Sequence, residues 1–296
     1  MILFNGSTGG LGRYLGDALR ARGLAGAPLF SRLEDREALR DQLASIDVRA
    51  GDPVWLVQLA ARVSVPGCQQ DPTGAFETNV RDTTETVREF VAWARGRRCT
   101  PRVLYTSTGH VYARQEPGSR IAEDGAVAPR SVYARTKLEA EHALMRLAAQ
   151  EGAALWIARI FGLVGPSQPP HYVLPGLIRR AREGRLSDIP GLSHVRDYLD
   201  ARDVCRILVD LCAAGIAAPE PRMINVCSGD GMSIRAIVEE ILVGLGAQSL
   251  PILGEAPGRA DDLPWIVGDP SRLTALLGRR PRQIPLQRTI RDALES

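Results

Sequence analysis

Long apolar runs are missing from this sequence: nowhere do about 18 uncharged hydrophobic residues follow one another, so no membrane-spanning helix is expected. The opening Met1-Ile2-Leu3-Phe4-Asn5-Gly6 is too short an apolar stretch for a signal peptide. Cysteine is sparse: Cys68, Cys99, Cys205, Cys212 and Cys227 are odd in number, widely spaced and without a CxxC pair. That pattern fits buried reduced thiols, not a disulfide frame or a zinc site, and a cytoplasmic setting is expected. Of four histidines, His142, His171 and His194 show no metal-ligand spacing, so no metal is expected. There is also no block of one charge. The net charge is +3, with charged residues spread along the chain, which makes nucleic acid an unexpected partner. The arginine clusters Arg95 to Arg98 and Arg279 to Arg282 follow expected helices and read as solvated helix ends.

What is present is enough apolar matter for a large core, at 45% hydrophobic residues in 296. Short apolar runs alternate with amphipathic stretches: Ile2 to Phe4, then Leu11 to Arg22; Pro28 to Phe30, then Asp35 to Leu43; Val54 to Leu59, then Thr73 to Arg95. Val103 to Thr106, a helix from about Val132 to Gln150 and Leu155 to Phe161 continue the series. The order implies an α/β protein, a mostly parallel sheet covered by helices. Near Gly162 prolines break the alternation, while helices at Val173 to Glu183, Ala201 to Ala214, Ile234 to Leu245 and Leu286 to Leu294 remain visible, with a strand at Met223 to Val226. Residues 1–163 are therefore expected as one domain and 164–296 as a smaller C-terminal α/β lobe, with about 195–228 returning to the first.

Directly after the first strand stands Gly6-Ser7-Thr8-Gly9-Gly10-Leu11-Gly12, and a helix follows at once. Gly6 permits a tight turn, Gly9 lets backbone approach a pyrophosphate, Gly12 lets helix and strand pack closely, and the helix start offers free N–H groups. The loop predicts dinucleotide binding on a Rossmann-like, doubly wound parallel sheet. Its glycine spacing resembles that of the short-chain dehydrogenases/reductases, in which the end of the second strand reads the cofactor ribose. Ser31-Arg32 stands there, and a guanidinium suited to a 2′-phosphate points to NADP in preference to NAD.

Tyr133-Ala134-Arg135-Thr136-Lys137 has helical period, so Tyr133 and Lys137 project from one face. A phenol with an ordinary pKa near ~10 is a poor acid–base at neutral pH, but a neighbouring ammonium and the positive nicotinamide ring both lower it. Lys137 could also hold the nicotinamide ribose. Thr106-Ser107-Thr108-Gly109-His110 ends a strand, where such sheets bind ligands; Thr108 is placed to donate to a carbonyl oxygen as hydride arrives, while Tyr133 delivers the proton. His110 is either an additional acid close to the substrate or a hydrogen-bonded structural residue.

Together these residues resemble the extended short-chain dehydrogenase/reductase family of nucleotide-sugar epimerases, dehydratases and reductases, along essentially the whole chain. Leu59-Ala60-Ala61 stands where the family has a cofactor-lining HLAA, with Gln58 replacing the histidine; Asn79-Val80 matches its NV element, and Tyr133 with Lys137 its YxxxK. Arg196 to Val204, Asn225 to Gly229 and Arg259 to Pro264 are similar to segments of the GDP-4-keto-6-deoxymannose reductases. That resemblance implies diphosphate contacts from Arg196 and Arg259 and a ribose contact from Asp262; ordinary arginine–aspartate salt bridges are the other reading. Sugar 4,6-dehydratases carry an acid and base after the threonine, where this chain has Gly109-His110, so dehydration is not expected. The resemblance implies NADPH-dependent reduction of the 4-keto group of a nucleotide-linked 6-deoxyhexose, or alternatively an NAD-retaining C4 epimerase. It further implies a homodimer through the helices at Thr73 to Arg95 and Val132 to Gln150. The acidic residue that recognises adenine could be Asp35, Asp47 or Asp52.

Overall fold

The computed structural model describes residues 1–166, 168–169, 172–215, 222–258 and 261–296. His171 and Arg259 lie outside the described residues. Strand β1 (Ile2–Phe4) leads through the glycine loop into α1 (Gly12–Ala21), and β2 (Gly26–Pro28) into α2 (Arg36–Ser45). β3 (Pro53–Gln58) is followed by α3 (Val65–Gln70), α4 (Pro72–Phe76), a π-helical turn over Glu77–Asp82 and α5 (Thr83–Gly96). Next come β4 (Thr100–Thr108), α6 (Val132–Glu151), β5 (Ala154–Ile160), β6 (Gly162–Val164), α7 (Val173–Arg182), β7 (Ser187–Pro190), β8 (Val195–Asp200), α8 (Ala201–Ala213) and β9 (Arg222–Val226). β10 (Gly231–Ser233), α9 (Ile234–Leu245), β11 (Leu253–Ala256), β12 (Trp265–Ile266), α10 (Ser271–Leu277) and α11 (Leu286–Glu295) complete the chain.

The main sheet runs β2-β1-β3-β4-β5-β9, and the pairings of β1 with β2, β1 with β3 and β3 with β4 are parallel. Ile2 lies opposite Gly26 on one side and Trp55 on the other, so the chain order reverses at β1, the position where sheets of this kind open a crevice at their carboxyl ends. Every residue of β3 from Val54 to Gln58 is buried, as a strand covered on both faces requires.

The chain divides into two compact units, one of residues 1–111, 129–159 and 205–224 and one of residues 112–128, 160–204 and 225–296. The core of the first gathers Leu3, Leu56, Phe90, Val91, Leu144 and Leu155; that of the second gathers Leu174, Ile178, Ile189, Ile237, Ile241 and Ile290. Apolar alternation gave no sign of the excursion at 112–128. Tyr112 anchors it by donating its hydroxyl to Asn225 Oδ1 at 2.7 Å, and Ile121 forms a bridge with Gly268.

Several elements differ from expectation for local reasons. β2 lies at Gly26–Pro28 instead of Pro28 to Phe30: Gly26 admits Leu19 of α1, whose Cδ1 would stand 2.5 Å from a Cβ there, and small residues hid the strand. The single helix expected from Thr73 to Arg95 is interrupted by the π turn, where Thr83 and Thr84 hydroxyls donate to the carbonyls of Thr78 and Val80 at 3.1 and 2.7 Å and loosen the regular ladder. α3 was masked by Pro66-Gly67, yet proline is tolerated in a first turn and Ser64 caps it by accepting the Gly67 N–H at 3.1 Å. β8 escaped notice because Arg196, Asp197 and Asp200 on it are buried polar residues. Arg279, Arg280 and Arg282 are exposed, as a solvated helix end requires, and Arg280 also donates to Ser228 O at 2.6 Å and to Asp230 at 2.9 Å.

Candidate active site

The turn after β1 depends on glycine at two places. Gly6 has φ +65°, a left-handed conformation that costs other residues strain, and its carbonyl accepts the Gly9 N–H at 2.9 Å. A Cβ on Gly12 would overlap Gly6 O, so α1 can start this close to the loop only with glycine there. Gly10 is different: nothing lies within 4 Å of a Cβ built on it, and Thr8, Gly9 and Gly10 are exposed. No side chain caps α1 at Leu11; the Arg13 and Tyr14 N–H groups turn back to Gly9 O at 3.3 Å and Leu11 O at 3.0 Å, and an anion is favoured here by the helix dipole and by the exposed backbone of Thr8 to Gly10. The loop therefore fits a pyrophosphate. Ser7 and Leu11 are half-buried beside it, and the Cys205 thiol donates to Leu11 O at 3.2 Å.

Buried Asn5, which sequence reasoning passed over, joins this loop to the next one. Its Oδ1 accepts the N–H groups of both Leu59 and Ala60 at 2.9 Å, and its Nδ2 donates to Gln58 Oε1 at 2.5 Å. Gln58 in turn donates to Ala60 O at 3.2 Å, so the residue standing in place of histidine fixes the Leu59-Ala60-Ala61 backbone. Arg32 projects after β2 with its side chain 86% exposed, 3.7 Å from Glu34. Asp35 caps α2 through the Ala38 N–H at 3.0 Å, while Asp47 and Asp52 are exposed.

At the end of β4 three hydroxyls have distinct partners. Thr106 donates to Gln58 O at 2.9 Å and Ser107 to Glu141 Oε1 at 2.5 Å. Buried Thr108 instead accepts the His110 N–H at 3.3 Å, a role that keeps its own O–H for donation. His110 is half-buried in a short 3₁₀ turn, Gly109–Val111.

Helix α6 begins at Ser131, which caps it by accepting the Ala134 N–H at 3.1 Å. Tyr133, Lys137 and Glu141 then follow at one-turn intervals on a single face, Tyr133 half-buried and the other two buried. Asn79, in the π turn, accepts the Arg62 N–H at 2.7 Å and donates to Arg62 O at 3.0 Å and Thr136 Oγ1 at 2.9 Å. Thr136 donates onward to Tyr133 O at 2.8 Å, linking the loop after β3 to the helix start.

Lys137 is only 3% exposed, and its Nζ stands 4.3 Å from the centre of the Tyr105 ring. Burial pushes its ammonium down to about 7, with Glu141 and Cys68 drawing it back up. Burial also holds the Tyr105 phenol well above its usual range, reinforced by Glu141 and Tyr133. The Tyr105 hydroxyl meets no hydrogen-bond partner among the described residues. Glu141 and Arg159 were not singled out from sequence, though a carboxylate one turn beyond Lys137 on the same helical face was a visible sign.

In the second unit, Arg196 and Asp262 pair with each other: Nη2 to Oδ1 is 2.6 Å, and the side chains are 10% and 19% exposed. His194 Nδ1 lies 3.2 Å from the other Asp262 oxygen. The rest of the Arg196 to Val204 segment is structural. Asp197 accepts the Ser228 N–H and hydroxyl at 2.7 and 2.6 Å and the Gly229 and Gly268 N–H groups at 2.8 and 3.2 Å. Asp200 receives Arg202 and Thr289.

No helix of the described residues is long and apolar enough to cross a membrane. Comparison with known proteins agrees with this architecture. The profile of the NAD dependent epimerase/dehydratase family matches residues 2–227. A GDP-6-deoxy-D-mannose reductase of Pseudomonas aeruginosa is 28% identical over 250 residues, covering 82% of this chain and 79% of that protein. A dTDP-6-deoxy-L-talose 4-dehydrogenase (NAD(P)(+)) of Kitasatospora kifunensis is 26% identical over 304 residues, covering 98% and 92%. Among solved structures, RMD from Pseudomonas aeruginosa complexed with NADPH superposes with a TM-score of 0.80 at 25% identity, covering 99% of this chain and 97% of that one. The chain belongs to the NAD dependent epimerase/dehydratase family and is an NAD(P)-dependent oxidoreductase of the extended short-chain dehydrogenase/reductase type.

Proposed function

We propose that this enzyme reduces the 4-keto group of a nucleotide-linked 6-deoxyhexose, of the GDP-4-keto-6-deoxymannose kind, with NADPH. One observation carries the reading: a half-exposed Tyr133 stands one turn from a buried Lys137 whose ammonium is brought toward neutrality, in the same unit as an open glycine loop. The two relatives described above, both named for 6-deoxyhexose redox chemistry, support the substrate class. NADPH, when bound, supplies the hydride. Tyr133 gives its phenolic proton to the carbonyl oxygen that becomes the alcohol, and Lys137 favours the phenolate left behind. Thr108 donates a hydrogen bond to the same oxygen as charge gathers on it. Gly109, next in the chain, has no group for eliminating water, which favours reduction over dehydration.

In this reading Gly6 to Gly12 hold the pyrophosphate, Leu59 to Ala61 line the cofactor, Lys137 holds the nicotinamide ribose and Arg32 selects the 2′-phosphate of NADP. Arg196 and Arg259 take the sugar diphosphate and Asp262 its ribose, His110 borders the sugar, and Arg196 shares its guanidinium between Asp262 and phosphate. Five free buried cysteines support a reducing, cytoplasmic location, and a homodimer through α5 and α6 completes the proposal. The test follows NADPH absorbance after adding the keto sugar nucleotide. Wild type should oxidise NADPH, and Tyr133→Phe should lose roughly 10²–10⁴-fold in turnover while still binding NADPH. No oxidation, with Tyr133→Phe indistinguishable from wild type, refutes it; C4 interconversion without added cofactor assigns an epimerase instead.

A further inference from the structure

The proton transfer just described does not use Glu141, yet this carboxylate is fully buried, one turn beyond Lys137 and two beyond Tyr133 on α6. A charge so placed persists only with strong partners. Glu141 Oε1 accepts Ser107 Oγ at 2.5 Å and Arg159 Nε at 3.0 Å, and Oε2 accepts Arg159 Nη2 at 2.6 Å. Ser107 is the neighbour of Thr108 at the end of β4, and Arg159 lies near the end of β5. One carboxylate thus ties the helix bearing Tyr133 and Lys137 to the strand end bearing Thr108.

The titratable groups around Lys137 are Tyr133 and Glu141 on its own helix, Tyr105 from β4 and Cys68 from α3, while Arg159 of β5 faces Glu141. Burial holds the Tyr105 phenol and the Cys68 thiol in their neutral forms. Glu141, gripped by two Arg159 nitrogens and the Ser107 hydroxyl, is the carboxylate of the set.

We propose that Glu141 is a positioning residue of this reaction: it is the fixed counter-charge of the Lys137 ammonium and the clip that sets Thr108 against the reactive face of α6. The inference rests on the reading of Tyr133, Lys137 and Thr108 as the reacting set. Without the carboxylate the ammonium loses its proton at lower pH.

Two measurements test it. In turnover, Glu141→Gln should move the alkaline limb of kcat by about one pH unit toward acid, the size expected for loss of a nearby opposite charge. Glu141→Asp should restore part of the shift, and Ser107→Ala should lower kcat without moving the limb. The second measurement needs no cofactor: the unfolding midpoint of the ligand-free chain against pH, as the difference between each protein and its Lys137→Met counterpart. Folded Lys137, at about 7, sits below its unfolded value of about 10.4, so the unfolded chain holds the extra proton between them and stability gained from this group rises with pH across that window. Glu141→Gln should start that rise at lower pH. If Glu141→Gln slows turnover with both the limb and the rise unmoved, Glu141 is a structural brace and the inference falls. Should the single variant fail to fold, Glu141→Gln with Arg159→Met is read against Arg159→Met alone, so that the difference in limb and rise reports the carboxylate by itself, and no difference overturns the inference. Retained turnover in Tyr133→Phe sinks the reading of the site instead, so the two failures are distinguishable.

Discussion

Replacing Gly12 by alanine puts a methyl group against backbone on every side, since its Cβ would overlap Gly6 O and come within 2.6 Å of Ser7 Cα and 2.8 Å of Gly6 C. None of these atoms can rotate aside. Overpacking of this sort costs up to about 3 kcal/mol, and the helix preference of alanine over glycine returns about 1 kcal/mol. The remainder, about 2 kcal/mol, corresponds to a fall of about 3 °C in the unfolding midpoint for a chain of this size. Gly10→Ala is the matched control, because its Cβ meets nothing within 4 Å. The ligand-free Gly10→Ala protein should melt within about 1 °C of wild type, as open surface substitutions do. If a pyrophosphate lies over that opening, Gly10→Ala should nevertheless weaken NADPH binding by about tenfold or more, an effect of about 1.4 kcal/mol. A thermal melt and an NADPH fluorescence titration of both variants separate the two effects. A Gly12→Ala protein as stable as wild type refutes the packing argument; a Gly10→Ala protein that binds NADPH normally refutes phosphate on that face.

Asn5→Ala should destabilise the chain by about 1–3 kcal/mol, because the Leu59 and Ala60 N–H groups lose their acceptor; Asn5→Asp, which keeps that acceptor and loses only the donor to Gln58, should retain more stability, and equal melting of the two variants would discount the link. Arg32→Ala should weaken NADPH binding by roughly 10–100-fold, the worth of a hydrogen bond to a charged group, and leave NADH nearly unchanged; parallel loss for both cofactors would remove Arg32 from the role of selector.

The glycine loop and the Tyr133–Lys137 pair were legible because each joins a local pattern to a chemical need: a strand, glycines and a helix in order, or two side chains one turn apart. The helices α6 and α9 were legible for the same reason, their periods being long and regular. Asn5 and Glu141 were harder to see, and Asn79 was noticed only through the resemblance, since their partners lie on distant segments: Leu59 for Asn5, Ser107 and Arg159 for Glu141, Arg62 and Thr136 for Asn79. A polar residue announces its work only when its partner is adjacent in sequence. β8 was hidden by similar physics, as its buried Asp197 satisfies backbone N–H groups of Ser228, Gly229 and Gly268 that no pattern within β8 could foretell. Arg196 and Asp262 were both noticed, but their mutual pairing belongs to tertiary structure.

The first unit is assembled from three stretches of chain, the last ending at Ile224, and β9 forms one edge of its sheet. During synthesis, the nascent chain therefore exposes β5 without its outer neighbour until the 112–128 and 160–204 stretches of the second unit have been made. Neither unit can be excised as a continuous fragment, and a protein cut short after Arg159 would present an unprotected strand edge, a template for aggregation. The sheet of the first unit is consequently complete only once residues 222–226 have been made.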